Sequence, residues 1–310
     1  MIEGLPAGVR ARPATRADLL SVVDLFLSYD ATLQAEPDPL NEYLAWIWGL
    51  PHVDLARDTV LLEAEDAVIG FAQGVRDPDT GGPFSVDWGV APAHDLDTVG
   101  GTLLTWCERQ RDDREIADPI RTSIVAEDDR ARALLERRGY VQVRLMWDMV
   151  RALGELHDLD VELPDGVEVR PFRVGQDEQL LYRLDETAFR DHWDHVDRTY
   201  EAFAAMMFGV SWEPSLAFLA EVDGEPAGEL VAIADEGRGF IASVGVLRAF
   251  RGRGAAKALL RRAFAELAAR GHERVELSVD ATSPTGAVAL YEGLGMHVAR
   301  RYAIFDGPAG

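Results

Sequence analysis

One cysteine and one lysine are the scarcest features of this 310-residue chain, and each scarcity excludes something. Cys107 has no second thiol to pair with, so an intrachain disulfide and a metal centre built on cysteines are both ruled out. Lys257 is the sole lysine, and 31 basic residues face 54 acidic ones for a formal charge of −23. So acidic a surface repels nucleic-acid phosphates and anionic bilayers, which excludes nonspecific binding to either. Long apolar runs are missing too. No stretch has the length that crosses a bilayer, and Met1–Leu20 lacks the apolar centre of a secretory leader, so the expectation is a cytoplasmic protein without membrane partners. What is present is the 47% hydrophobic content of a globular protein, in a chain longer than one core usually fills.

The sequence gives a better reason than length for two domains. An offset of 156 residues lays Val90 on Val246, Leu103-Leu104 on Leu259-Leu260, Glu136 on Glu292 and Gly139 on Gly295. Upstream, an offset of 158 lays Arg12-Pro13 on Arg170-Pro171 and Gly70 on Gly228. Self-similarity of this kind means that one structural plan is used twice. The ranges read as 1–150, a linker over 151–166 containing Pro164-Asp165-Gly166, and 167–310.

Within the second range, residue spacing predicts a strand near Val167–Arg170 and helices through Leu180–Phe189 and Arg198–Phe208. Strands follow around Leu216–Val222 and Ala227–Ile233, joined by an Asp223-Gly224 turn. Phe240–Val246 is apolar except for Ser243, which predicts a central strand covered on both faces. Leu260, Phe264 and Leu267 mark the inner stripe of the next helix, which Gly271 ends, and Val275, Leu277 and Val279 alternate as a strand. Ser283 is expected to cap a helix opened by Pro284 and carrying Ala287, Leu290, Tyr291 and Leu294 on its buried side. A last strand covers His297–Phe305. The fold class is α/β, a mixed sheet of the α+β kind with helices on both sides.

The most informative stretch is Val246–Leu260. Between residues 247 and 262 stand Arg248, Arg251, Arg253, Lys257, Arg261 and Arg262 with no acid among them. Free N–H groups and aligned peptide dipoles make the first turn of a helix an anion site. Gly252 and Gly254 let the backbone wrap that anion closely, so the junction reads as a pyrophosphate cradle. Neither Gly-Lys-Ser/Thr nor the three-glycine dinucleotide fingerprint is present, which sets the common nucleotide enzymes aside.

This order of elements, with Arg251-x-x-Gly254-x-Ala256 opening a helix and Ala289-Leu290-Tyr291-Glu292-x-Leu294-Gly295-Met296 near the end, resembles the GNAT superfamily of acyl-CoA-dependent N-acyltransferases. The tandem arrangement, and the segment Ala188–Trp193, are similar to its two-domain actinobacterial members. The resemblance covers most of the second half. It implies two tandem GNAT-like domains, acetyl-CoA as cosubstrate, no metal, and transfer of an acetyl group to a primary amine by direct attack in a ternary complex. It also implies that the backbone amides of Arg251, Gly252, Arg253, Gly254, Ala255 and Ala256 hold the coenzyme A pyrophosphate. By the same resemblance, the strand through Val244 and Val246 binds the pantetheine arm, a backbone N–H near Val246 polarises the thioester carbonyl, and Tyr291 protonates the departing sulfur. Ser283 stands where the family often carries an asparagine beside the cofactor.

Removing the ammonium proton of an acceptor amine calls for a base. Glu229 on an inner strand is the first candidate, with His192 and His195 next. Phe240 stands where histone-type members place a glutamate, so a water chain is the alternative. In the first half, Asp95, Leu96, Asp97 and Thr98 fall on Arg251–Gly254, Leu135 falls on Tyr291 and Phe71 on Glu229. Carboxylates then stand where phosphates would lie and the proton donor is missing, so the first copy is expected to be degenerate and non-catalytic. Trp193, Tyr200 and Trp212, with Asp191, Asp194 and Asp197, are candidates for an aromatic, acidic cleft that accepts a cationic small molecule. A mycothiol precursor, an amino-sugar antibiotic, an amino-acid derivative and a protein N-terminus stay open as acceptors, as do a monomer and a homodimer. A non-catalytic acyl-CoA sensor or assembly subunit is the competing class.

Overall fold

Alternating apolar residues lay down the strands of two units built on the same plan. The computed structural model describes residues 5 and 8–308 apart from 34–39, 77–81, 155–162, 194, 210, 211, 236 and 284. Pro284, Asp194 and part of the 151–166 linker therefore lie outside the described residues. The contacts divide into two units. One runs up to Trp147 and includes Asp280–Thr282 and the chain from Ala299 onward; the other is Asp148–Val279 with Ser283–Val298. These units and the ranges 1–150 and 167–310 overlap without coinciding.

In chain order the first copy contains β1 (Val9–Arg12), α1 (Leu19–Thr32), α2 (Leu40–Gly49), α3 (Leu55–Asp58), β2 (Thr59–Ala64), β3 (Ala67–Val75), β4 (Phe84–Val90), α4 (Leu96–Asp113), β5 (Ile120–Val125), α5 (Asp129–Arg137) and β6 (Val141–Ala152). The second contains β7 (Val167–Pro171), α6 (Glu178–Phe189), α7 (Tyr200–Met207), β8 (Ala217–Val222), β9 (Glu225–Asp235), β10 (Arg238–Val246), α8 (Ala255–Ala269), β11 (Arg274–Asp280), α9 (Ala287–Glu292) and β12 (His297–Asp306). The first unit's strands run in the order β1-β2-β3-β4-β5-β12, with Tyr302–Asp306 of β12 antiparallel to β5. The second unit's run β7-β8-β9-β10-β11 and then the end of β6. Among the described residues no helix is long and apolar enough to cross a membrane.

The repeat seen in sequence is a repeat in register. Phe71 sits between Leu61 and Gly89, as Glu229 sits between Leu219 and Gly245. Each copy also pins its first strand with one arginine held by two acids: Arg12 with Asp18 and Glu63, both at 2.7 Å, and Arg170 with Asp177 at 2.7 Å and Glu221 at 2.9 Å. Asp177 accepts from the backbone and guanidinium of Arg173 as well. The Arg173 guanidinium, and with it Arg170, holds this carboxyl well below the usual range against the opposing effect of burial. A carboxylate with a depressed pKa stabilises the fold above the ordinary aspartate range and ceases to do so as pH falls through its folded value. Asp177→Asn is therefore expected to cost about 2 kcal/mol in urea unfolding at neutral pH, the scale of hydrogen bonds to a charged group. The gap between variant and wild type should narrow below pH of about 4.

Helices cover the second unit's sheet from both sides. Ala217, Leu219 and Val231 pack with Leu181 and Leu184 of α6 and Phe203 of α7, while Arg262 of α8 stacks over Phe218, the residue between the first two. The inner stripe of α8 includes the expected Leu260, Phe264 and Leu267. Two expectations are corrected. β10 is not covered on both faces: Phe240, Val244 and Val246 are half-buried and Ala242 is exposed. The cause is a bulge between Ile241 and Ser243, together with the parting of β10 from β11, which pair in parallel only over Arg238–Phe240. Ser283 does not cap α9. That helix starts later, from Gly286 at φ +76°, and Ser283 instead closes a local turn with its Oγ 2.8 Å from Thr285 Oγ1.

Candidate active site

The parted strands open a notch at the end of β10, and the chain turns there into α8. Gly252 (φ +78°) and Gly254 (φ +89°) adopt left-handed backbone conformations that L side chains resist, and these aim consecutive amides to one side. The first bond closing α8 runs from Ala258 N–H to Gly254 C=O. Among the described residues, the backbone N–H groups from Gly252 to Lys257 have no hydrogen-bond partner. The turn is held open by its own side chains. Arg251 donates to the carbonyls of Val246 (3.1 Å) and Ala188 (3.2 Å), and Arg253 pairs with Asp223 at 3.1 Å. A Cβ on Gly252 would meet nothing within 4 Å, whereas one on Gly254 would lie 2.7 Å from Pro164. A run of free, positively polarised N–H groups beside open space fits a pyrophosphate.

The first unit parts β4 from β5 in the same way, with pairing only over Phe84–Val86, but it answers its helix N-terminus internally. α4 begins at Leu96, and the Asp95 carboxylate accepts from Thr98 N–H at 2.8 Å. A side-chain anion thus occupies the place that the glycine turn leaves free in the second unit.

Behind the notch lies a buried acidic group. Glu229 is fully buried on β9, opposite Gly245 of β10, where a Cβ would stand 2.8 Å from Glu229 Oε1 and 2.8 Å from Ala188 of α6. Ser243 Oγ is 2.9 Å from Glu229 Oε1 and 2.9 Å from Asp185 Oδ2. Asp185 Oδ1 accepts from Arg198 at 2.6 Å, and Arg198 also reaches Glu186 at 2.7 Å. Burial, with the charge of Asp185 added, pushes the Glu229 carboxyl well above the ordinary glutamate range. Glu229 Oε2 is buried without a partner among the described residues. Tyr291 on α9 is buried except for a sliver, and burial alone pushes its phenol up to about 12, so it holds its proton throughout the neutral range. No hydrogen bond engages its hydroxyl among the described residues.

The other candidates are more dispersed. His192 is exposed near Phe189, and His195 lies 3.2 Å from Asp197 and 3.6 Å from Glu186. Trp212 is half-buried and packs edge-on against Phe172 and Phe208 of the core, Tyr200 packs edge-on to Tyr182, and Trp193 is exposed. Asp191 pairs with Arg248. Sequence reasoning passed over Asp185 and Arg198. Its one available signal was Ser243, the lone polar residue of an apolar strand, which requires a buried partner.

Residues 179–296 match the acetyltransferase (GNAT) family. A mycothiol acetyltransferase of Kineococcus radiotolerans is 34% identical over 76% of this chain and 77% of its own length. One from Thermomonospora curvata is 33% identical over 90% of each. A GCN5-related N-acetyltransferase structure from Sphaerobacter thermophilus superposes with a TM-score of 0.85 at 32% identity, covering 99% of this chain and 98% of that one. A tandem GNAT protein from the clavulanic acid biosynthesis pathway shares the fold at a TM-score of 0.71 and 15% identity, covering 97% of this chain and 100% of that one. These similarities define an acyl-CoA-dependent acetyltransferase. The chain belongs to the acetyltransferase (GNAT) family, in the tandem form, and acts as an acetyl-CoA-dependent N-acetyltransferase.

Proposed function

We propose that the second copy acetylates the primary amine of a small, mycothiol-related acceptor, with Glu229 receiving the ammonium proton and Tyr291 protonating the leaving sulfur. Two relatives called mycothiol acetyltransferases, one matched over nearly its whole length, support the acceptor class. The observation that carries the chemistry is the placement of a fully buried carboxyl with an unpartnered oxygen, Glu229 Oε2, one strand from the notch. The amides of Gly252–Ala256 bind the pyrophosphate; the Arg251 amide, expected among them, is instead taken up by the Arg248 carbonyl at 3.3 Å, and Arg251 serves through its side chain, which holds the turn open. The half-buried edge of β10 at Val244 and Val246 lines the pantetheine arm, Ser283 lies in the turn before α9, and a backbone N–H near Val246 steadies the oxyanion. Acetyl-CoA supplies the activated acetyl group. Holding the two reactants together contributes most of the acceleration, since an oriented pair gains what a collision lacks.

The first copy, with Asp95 on its own helix and Leu135 and Phe71 in place of Tyr291 and Glu229, is a degenerate partner that does not turn over. Thiol release from acetyl-CoA, followed over a panel of amines, tests the reading. Wild type should respond to the amine of a mycothiol precursor. Tyr291→Phe should lose about a hundredfold in kcat, at the low end of general-acid effects, with KM for acetyl-CoA unchanged. Coenzyme binding without acceptor-dependent release from any amine would overturn it.

A further inference from the structure

A buried carboxyl that keeps its proton is a poor base, and Glu229 has no cation of its own within hydrogen-bond reach among the described residues. The groups facing it resolve this. From α6 come Asp185 and Glu186, from the segment before α7 comes Arg198, and from β10 comes Ser243, whose single hydroxyl hydrogen stands between two carboxyls at 2.9 Å. One hydrogen cannot be donated to both. With Asp185 held by Arg198, the consistent arrangement has Ser243 donating to Asp185 and a protonated Glu229 donating to Ser243.

Resting on the assignment of Glu229 as the proton acceptor, we propose that Ser243 and Asp185 are positioning residues that form a proton relay, so that the base strength felt at Glu229 is that of Asp185. The transfer balances as follows. The ammonium N–H bond breaks and its proton joins Glu229 Oε2. The proton on Glu229 Oε1 passes to Ser243 Oγ, and the Ser243 hydroxyl proton passes to Asp185 Oδ2. The amine is left neutral with its lone pair, both carboxyls are neutral, and the positive charge resides on Arg198, still paired with Glu186. Glu229 is never ionised in its buried site, which removes the large cost of a desolvated carboxylate.

The first copy is an internal control. A Cβ on Gly89 would meet Leu25 and Phe26, as one on Gly245 would meet Ala188 and Phe189, which makes Val22 the counterpart of Asp185. Glu229 corresponds to Phe71, and both Val22 and Phe71 are fully buried. The same fold therefore closes with apolar residues at the places of Glu229 and Asp185, so this pair of carboxyls is not needed to build it; the place of Ser243 is taken by Asp87, which accepts from Gln73 at 2.7 Å.

The test combines three variants of the full chain with an infrared measurement. Ser243→Ala should lower kcat tenfold or more, on the scale of general-base loss, leave KM for acetyl-CoA within about twofold, and move the acidic limb of the kcat profile upward by at least one pH unit. Asp185→Asn should do the same. Ser243→Thr, which restores the hydroxyl, should recover most of the loss. At neutral pH the wild type should show the carbonyl band of a protonated carboxylic acid that disappears in Glu229→Gln and shifts in Ser243→Ala. The relay is overturned if Ser243→Ala keeps its rate and profile, if folded Ser243→Thr is no better than Ser243→Ala, or if the band is absent. An inactive Glu229→Gln beside a normal Ser243→Ala removes the relay alone, whereas an active Glu229→Gln removes Glu229 as the acceptor. The infrared arm decides the protonation pattern whichever amine is used.

Discussion

Glu229→Gln should lower kcat by about a hundredfold to a thousandfold while leaving the KM for acetyl-CoA within twofold, because the amide keeps the shape but neither takes nor passes a proton. Steady-state kinetics with the best amine of the panel is the measurement. Stability gives a second, opposite reading. Glu229 is wholly buried and carries an oxygen with no partner among the described residues, so an apolar side chain of similar volume is favoured there. Glu229→Met should unfold in urea at a stability raised by about 1 kcal/mol or more while being inactive, since Ser243 can still donate to Asp185. A gain in stability with a loss of rate is the signature of a residue kept for chemistry.

Gly252→Asp should weaken acetyl-CoA binding about a hundredfold, near 2.8 kcal/mol, as measured by calorimetry. The substitution puts a carboxylate among the amides where phosphate would sit, as Asp95 does for the first copy from a neighbouring position. The fold should tolerate it. Gly252 has φ +78° with open space around its Cβ direction, and aspartate is among the few side chains that enter the left-handed region at modest cost. Gly252→Asn, matched in shape and uncharged, separates the two effects. It should lose less than about tenfold, and equal losses for both would point to backbone conformation as the cause instead of charge.

The fold was legible because its signals are local and occur twice. The offsets of 156 and 158 reappear as register, with Phe71 and Glu229 each facing a glycine of the next strand. The glycine-broken basic turn could also be read, since a left-handed φ at Gly252 and Gly254 is a property of residue type. Two features escaped for physical reasons. Periodicity marked Phe240–Val246 as apolar but carries no information about a bulge or about where two parallel strands part, so the open face of β10 was not foreseen. Asp185 sits one residue beyond buried Leu184 on a helix whose stripe looks ordinary, and only the fold brings it to Ser243, far away in sequence. Ser283 shows the converse error. A serine followed by proline has the chemistry of a cap, yet the helix begins at Gly286.

The placement of Tyr302–Asp306 beside β5 bears on how this polypeptide is made and how it can be divided. During synthesis the strands of the first unit wait for Tyr302–Asp306 before the ladder on β5 can close, so their early form carries a bare edge able to recruit other chains. A fragment ending near Val150 keeps that edge permanently.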